Sequence, residues 1–144
     1  MNKYLLIGLL ILIVALIGSI IYISPMDKTN TNVLGAASSF SDLSPQQFGQ
    51  DINTGGYTLL DIRTIDEYNA GHIKGAKQED FYQTQAFSNY LNSLDKNGKY
   101  LIYCRTGIRS AKAMQEMQQT GFANVHDLVG GYNAWVSSNL PTEQ

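Results

Sequence analysis

One cysteine, Cys104, and two widely separated histidines, His72 and His126, are all that the chain holds of the residues that most often build metal or disulfide frameworks. A lone cysteine excludes an intrachain disulfide, and with it a secreted scaffold built on disulfides. It also leaves no Cys-rich cluster, so no structural zinc site, and no metal or cofactor, is expected. Charge is sparse: 15% of residues, ten Lys+Arg against twelve Asp+Glu, for a formal net charge of -2. No block of like charge occurs, which argues against nucleic-acid binding by bulk electrostatics. There is no internal repeat and no low-complexity stretch. With 144 residues, the chain has room for one domain of ordinary size.

Tyr4 to Ile23 runs YLLIGLLILIVALIGSIIYI, without a charge or a proline. As a helix this stretch spans about 30 Å, one bilayer core, and satisfies its own backbone polar groups there. A helix apolar on every face inside a domain this small would find too little protein to cover it. A cleaved signal normally has a shorter apolar run followed closely by small residues. Gly35, Ala36 and Ala37 lie well beyond the run, so residues 1–25 are expected to be a transmembrane anchor or uncleaved signal; cleavage would make the protein secreted. Lys3 and the terminal amine precede the span, whereas Asp27 and Lys28 cancel after it, so the domain is expected on the extracytoplasmic side, periplasmic or at the cell surface. Residues 26–39, polar and rich in small side chains, read as a flexible tether, and 40–144 as the domain.

Within the domain, LSPQQFGQDI predicts a short helix with Ser44 as N-cap, Pro45 at its first position, and Phe48 and Ile52 on one face. YTLLDI (57–62), KYLIYC (99–104) and NVHDLVGG (124–131) have the length and apolar character of buried strands. TIDEYNAG predicts one or two helical turns stopped at Gly71, and AFSNYLNSLD a helix carrying Phe87, Tyr90, Leu91 and Leu94. RSAKAMQEMQQTG predicts another, with Ala111, Met114 and Met117 or Gln118 on one side, and YNAWVSS a final short one. Strands alternating with helices imply a parallel three-layer α/β domain, with its chemistry at the carboxyl ends of strands.

The run YLIYCRTGIRSAKAM delivers Cys104 from a buried strand into a glycine-containing loop that opens a helix near Arg109 or Ser110. Loop N–H groups without secondary-structure partners converge there on one point, and the helix dipole adds positive character. Arg105 and Arg109 flank the point. A thiol in that field ionises more readily than a free one and becomes a nucleophile near neutral pH. A small buried cysteine of purely structural use needs no such cations. Arginines at a helix N-terminus oppose the dipole, which itself points to an anion that joins them.

The loop CRTGIRS (Cys104 to Ser110), the earlier LLDIRTIDEYNAGHIKGA (Leu59 to Ala76) and the closing LVGGYNAW (Leu128 to Trp135), in that order, resemble a single-domain rhodanese of the rhodanese-like sulfurtransferase family. The resemblance covers about 100 residues. It implies a five-stranded parallel sheet flanked by helices. It also implies transfer of a sulfane sulfur from thiosulfate or another anionic donor, through a Cys104 persulfide, to a thiol, cyanide or protein acceptor. Residues Arg105, Thr106, Gly107, Ile108, Arg109 and Ser110 would then bind substrate. The alternative use of the same cradle is a relay fed with persulfide by a partner protein. Attack of a thiolate on sulfur needs no general base, so the absence of a Cys/His pair of the papain or caspase kind is no obstacle. In related phosphatases and arsenate reductases five residues separate cysteine from arginine. Here there are four, Arg105 to Ile108, a smaller cradle suited to one sulfur atom. A 3-mercaptopyruvate sulfurtransferase loop would be less cationic. Asp61 and Arg63 match the family's Asp and Arg and are expected to support the site, Arg63 paired with Asp66 or Glu67, and Asp61 bonding near the loop. His72 matches the family's GHI turn, as a structural histidine, and Tyr132 and Trp135 are expected to pack the last helix on the sheet.

Overall fold

The computed structural model describes residues 38–144, so the expected anchor and nearly all of the tether lie outside the described residues. No helix among the described residues is long and apolar enough to cross a membrane. The elements in order are β1 (Ser39–Leu43), α1 (Pro45–Thr54), β2 (Thr58–Asp61), α2 (Ile65–Asn69), β3 (Lys77–Gln78), α3 (Thr84–Ser93), β4 (Lys99–Tyr103), α4 (Ile108–Gln119), β5 (Asn124–Leu128) and α5 (Gly131–Ser137). All five strands are parallel, in the spatial order β1-β5-β4-β2-β3.

Strand parity sorts the core into two layers, because successive side chains point to opposite faces. Leu60, Tyr100, Ile102 and Val125 face α3 and α4, packing on Phe87, Leu91, Ala113 and Met117. Leu59, Leu101, Tyr103 and Leu128 face the other way, onto Phe48 of α1 and Trp135 of α5. Phe48 meets Tyr103 and Trp135 edge to face, with ring centroids 6.4 and 6.2 Å apart. The same parity places Cys104, two residues beyond Ile102, on the α4 side of the sheet.

Ser44 and Pro45 open α1 as the sequence predicts, and Ser44 forms a capping box with Gln47. Two strands have no counterpart among the elements read from apolar runs. β1 begins at Ser39, inside the expected tether, and β3 has two residues. Both are edge strands of mostly polar side chains with no fully buried residue; in β1 only Phe40 and Leu43 pack on the core. The buried face of α4 is also displaced from expectation: Ala113 is buried and Ala111 is exposed, with Ser110 and Met117 completing the inward stripe.

The connection from β2 through α2 runs outward to β3, whereas that from β4 through α4 runs the opposite way to β5. The loops leaving β2 and β4 therefore diverge and open a crevice at their carboxyl ends, the position where α/β sheets hold ligands.

Candidate active site

Cys104 follows directly after β4, at the carboxyl end of the sheet, and is fully buried. After it the chain turns through Gly107, whose φ of 89° is left-handed, and enters α4 at Ile108. This turn swings the Gly107 N–H onto the Cys104 Sγ, 3.2 Å away. The Ser110 hydroxyl lies 3.5 Å from the same sulfur. Burial by itself raises the thiol pKa, but the Ser110 hydroxyl and the backbone N–H groups of Ser110, Thr106 and Arg109 outweigh it, and the thiol sits below its ordinary value. The lowering comes from these donors.

The amide geometry is held from behind by α5. The N–H groups of Tyr132 and Asn133, free because they open a helix, donate to the carbonyls of Cys104 and Arg105 at 2.8 and 3.1 Å. With those carbonyls bound outside, the loop amides face inward. Contact this close requires Gly131: a Cβ there would run into the Cys104 carbonyl oxygen and lie 2.8 Å from the Gly107 nitrogen. The LVGGYNAW segment thus clamps the loop.

On the outer side of the same loop, Glu67, Tyr82, Arg105, Thr106, Ile108 and Arg109 line an open cavity of about 340 Å³. Arg105 and Thr106 are exposed, and Ile108 is 67% exposed at the rim. Arg109 does not point freely at the cavity. Its guanidinium makes a two-pronged ion pair with Glu67, both N–O distances 2.9 Å, and lies 5.1 Å from the Tyr82 ring centroid. Burial opposes ionisation of Glu67, but Arg109 and Thr64 hold its carboxyl below the usual range. Glu67 is fixed at the start of α2 by a capping box with Thr64. The sequence signal for this residue is TIDE, an N-cap threonine followed at the third position by glutamate, but its partner is 42 positions away.

The expected pairing of Arg63 with Asp66 or Glu67 is therefore corrected. Arg63 pairs with Asp61, Nε to Oδ1 at 2.9 Å and Nη2 to Oδ2 at 2.6 Å, and donates to the Gly71 carbonyl at 2.7 Å. Tyr103 donates to Asp61 Oδ2 at 2.7 Å, and the Arg63 guanidinium stacks 4.0 Å from the Tyr132 ring centroid. Asp61 is consumed by these partners and makes no bond to the Cys104 loop. The pair is a buried brace between the loop after β2 and the start of α5, one side chain removed from the cavity. A buried pair of this kind is justified only when each lone pair and proton is satisfied, as the bonds to Tyr103 and Gly71 ensure. His72 stacks on Tyr68 with ring centroids 3.7 Å apart and lies 3.4 Å from Glu143, and makes no hydrogen bond to Cys104. Among the described residues no cluster of His, Cys, Asp and Glu could hold a metal ion.

A parallel α/β sheet that delivers a buried cysteine, bonded by loop amides, to its switch point defines a class of domains built around a single thiolate. Residues 44–138 match the profile of the Rhodanese-like domain, and the chain belongs to that family. It is similar to Thiosulfate sulfurtransferase 16, chloroplastic, of Arabidopsis thaliana, 34% identical over 107 residues, covering 65% of this chain and 85% of that protein. Thiosulfate sulfurtransferase GlpE of Actinobacillus pleuropneumoniae is 30% identical over 106 residues, covering 73% of this chain and 94% of the other. Among solved structures, a rhodanese-related protein of Thermoplasma volcanium superposes with a TM-score of 0.62 at 25% identity, over 72% of this chain and 97% of that one. A rhodanese-like domain protein of Staphylococcus aureus gives 0.58 at 27% identity, over 66% and 90%.

Proposed function

We propose that the protein is a sulfurtransferase that moves a sulfane sulfur from thiosulfate, or a donor of similar charge, through a Cys104 persulfide. The observation that carries this reading is the ring of donors around the Cys104 sulfur, which lowers the thiol pKa although the residue is buried. The thiolate attacks the outer sulfur of thiosulfate. A new S–S bond forms, the old one breaks, and its electron pair leaves on sulfite. No proton moves, so no general base is required. The terminal sulfur of the persulfide is anionic, and the inward-facing loop amides suit it as they suit an oxyanion. Arg105, exposed and at the cavity wall, is placed to draw in the sulfonate, with Arg109 beside it. An acceptor thiolate or cyanide then takes the outer sulfur and the Cys104 thiolate returns as leaving group.

Purified full-length protein incubated with thiosulfate and cyanide is expected to yield sulfite and thiocyanate in equal amounts. Stoichiometric persulfide on Cys104 after exposure to a persulfidated donor protein, with no turnover of thiosulfate, would favour a partner-fed relay instead. The charge-free run from Tyr4 to Ile23 supports a membrane-anchored placement of this chemistry, and Lys3 with the terminal amine before it, against Asp27 and Lys28 after it, supports the extracytoplasmic side. Retention in the membrane fraction after alkaline carbonate washing, with the domain digested by protease added outside intact spheroplasts, is the expected result; release by carbonate or protection from protease would contradict it.

A further inference from the structure

One of the donors to the Cys104 sulfur can turn away from it. The Ser110 hydroxyl carries a single proton, yet it lies 3.5 Å from Sγ and 3.2 Å from the Gly107 carbonyl, and the Asp127 carboxyl, which comes from β5 on the same face of the sheet and makes no hydrogen bond to it in this arrangement, is a third acceptor near enough to act on it. Strand parity puts Asp127 there: Val125 packs on the α4 side, Asp127 follows two residues later, and its register partner on β4 is Ile102, which precedes Cys104 on the same face. Asp127 is 3% exposed, and its Oδ1 is buried without a hydrogen-bond partner. Native interiors leave few such atoms, and an ionised carboxylate is the costliest group to leave so.

The surroundings do not relieve it. Across β1 the register partner is Asp42, a second acid; β4 contributes the Cys104 thiol; α4 contributes Ser110; and the chain's own Leu128 N–H is the other donor. Arg109, in the same turn as Ser110, is engaged by Glu67, and among the described residues no ion pair includes Asp127. Burial raises the Asp127 carboxyl, the Ser110 hydroxyl opposes this, Asp42 adds to it and the Leu128 N–H opposes it, with the balance at about 7.

We propose that Asp127 is a positioning residue for Cys104 that acts through Ser110: as a neutral acid it leaves the Ser110 proton on the sulfur, and as a carboxylate it draws that proton to itself. The neutral acid can donate its own proton to the Ser110 oxygen, which completes a chain from Asp127 through Ser110 to sulfur. Ionisation of Asp127 reverses the Ser110 hydroxyl, removes one donor from the thiolate or persulfide, and sets a second negative charge behind it. The two acids then titrate as a coupled pair, each ionisation opposing the other.

This rests on Cys104 as the reacting group, and the test is chosen to be independent of sulfur transfer. The rate of Cys104 alkylation by iodoacetamide is measured from about pH 5 to 9, where thiolate formation sets the rate, on full-length wild type, Asp127→Asn, Ser110→Ala and the double variant. Wild type is expected to show two inflections. Asp127→Asn is expected to show one, with alkylation accelerated up to about threefold above pH 7, where the wild-type carboxyl is ionised, a shift of about half a pKa unit, and little changed at about pH 6, where it is neutral. In the Ser110→Ala background that acceleration is expected to fall by at least half. Identical profiles for wild type and Asp127→Asn would overturn the proposal. So would an equal effect of Asp127→Asn with and without Ser110, because the carboxylate would then act directly across space. A readout on wild type alone covers a variant that does not fold: carbon-13 NMR of the Asp127 carboxyl. Its midpoint is expected near neutrality and to fall when Cys104 is capped with a neutral carbamidomethyl group. A midpoint near the ordinary aspartate value of about 4, or one that capping leaves unmoved, would sink the idea. Failure to form a persulfide with thiosulfate, read separately by mass, would count against the reaction and leave this coupling standing.

Discussion

Cys104 combines two properties that usually exclude each other, complete burial and a thiol pKa held below its ordinary value. Amide and hydroxyl donors resolve the conflict, because they solvate the anion as water would but stay fixed. Arg109 contributes otherwise than its place in CRTGIR suggests. It is held by Glu67, so its charge at the cavity wall is offset by a carboxylate and its plane is set. Lysine cannot reproduce a planar fork. Arg109→Lys is expected to lower kcat/KM for thiosulfate about tenfold, the loss of one good charge-assisted interaction, with little change in thermal stability; sulfite release and a melting curve check both. The catalytic loop was legible in the sequence because its cysteine, glycine and arginines are contiguous. The Glu67–Arg109 and Asp61–Arg63 pairs were not. Three carboxylates lie within four positions of Arg63, and only the backbone path after β2 decides which of them it meets. Asp127 gave no signal at all, since its significance comes from a strand register and a helix start that converge on it.

Among the elements, α5 has more to do with the active site than its distance in sequence suggests. Its first turn binds the loop carbonyls, and Gly131 permits the approach with a φ of 59°. Gly131→Ala must displace the loop, because the atoms its Cβ would meet are backbone. The expected outcome is destabilisation of about 1–3 kcal/mol in urea unfolding, together with loss of most sulfur transfer; a variant of normal stability and activity would show that the clamp is dispensable. The central strands and the helices were legible from apolar runs and helical spacing. The edge strands β1 and β3 were not, because a strand paired on one side buries too little to need a continuous apolar run. SFSDL alternates weakly, and two residues carry no periodicity. The shifted face of α4 has a related cause. The helix begins at Ile108, and the turn at Gly107 fixes which residues point inward before hydrophobicity does.

At the scale of the molecule, the strand order accounts for the place of the site. Chains leaving β2 and β4 in opposite directions open the crevice at the switch point, and the Glu67–Arg109 ion pair spans it as part of the cavity wall. The same interior carries a cost that depends on pH. The Asp127 carboxyl titrates at about 7 in the folded protein against an ordinary value of 3.8, so the native state holds its proton more tightly than the unfolded chain. Stability from this group is therefore unaffected below about pH 4 and is lost as pH rises to about 7, the window between the two values. Asp127→Asn removes that dependence. Its melting temperature relative to wild type is expected to be higher at alkaline than at acidic pH, and a constant difference across the range would exclude a raised Asp127. The chemistry that this architecture supports rests finally on one atom, the Cys104 sulfur. The most direct measurement is the intact mass of the full-length protein before and after incubation with thiosulfate, alongside Cys104→Ser. A gain of one sulfur on wild type alone, removed by cyanide or a thiol, is the predicted result; an unchanged wild-type mass, or the same gain on Cys104→Ser, would contradict a persulfide on Cys104.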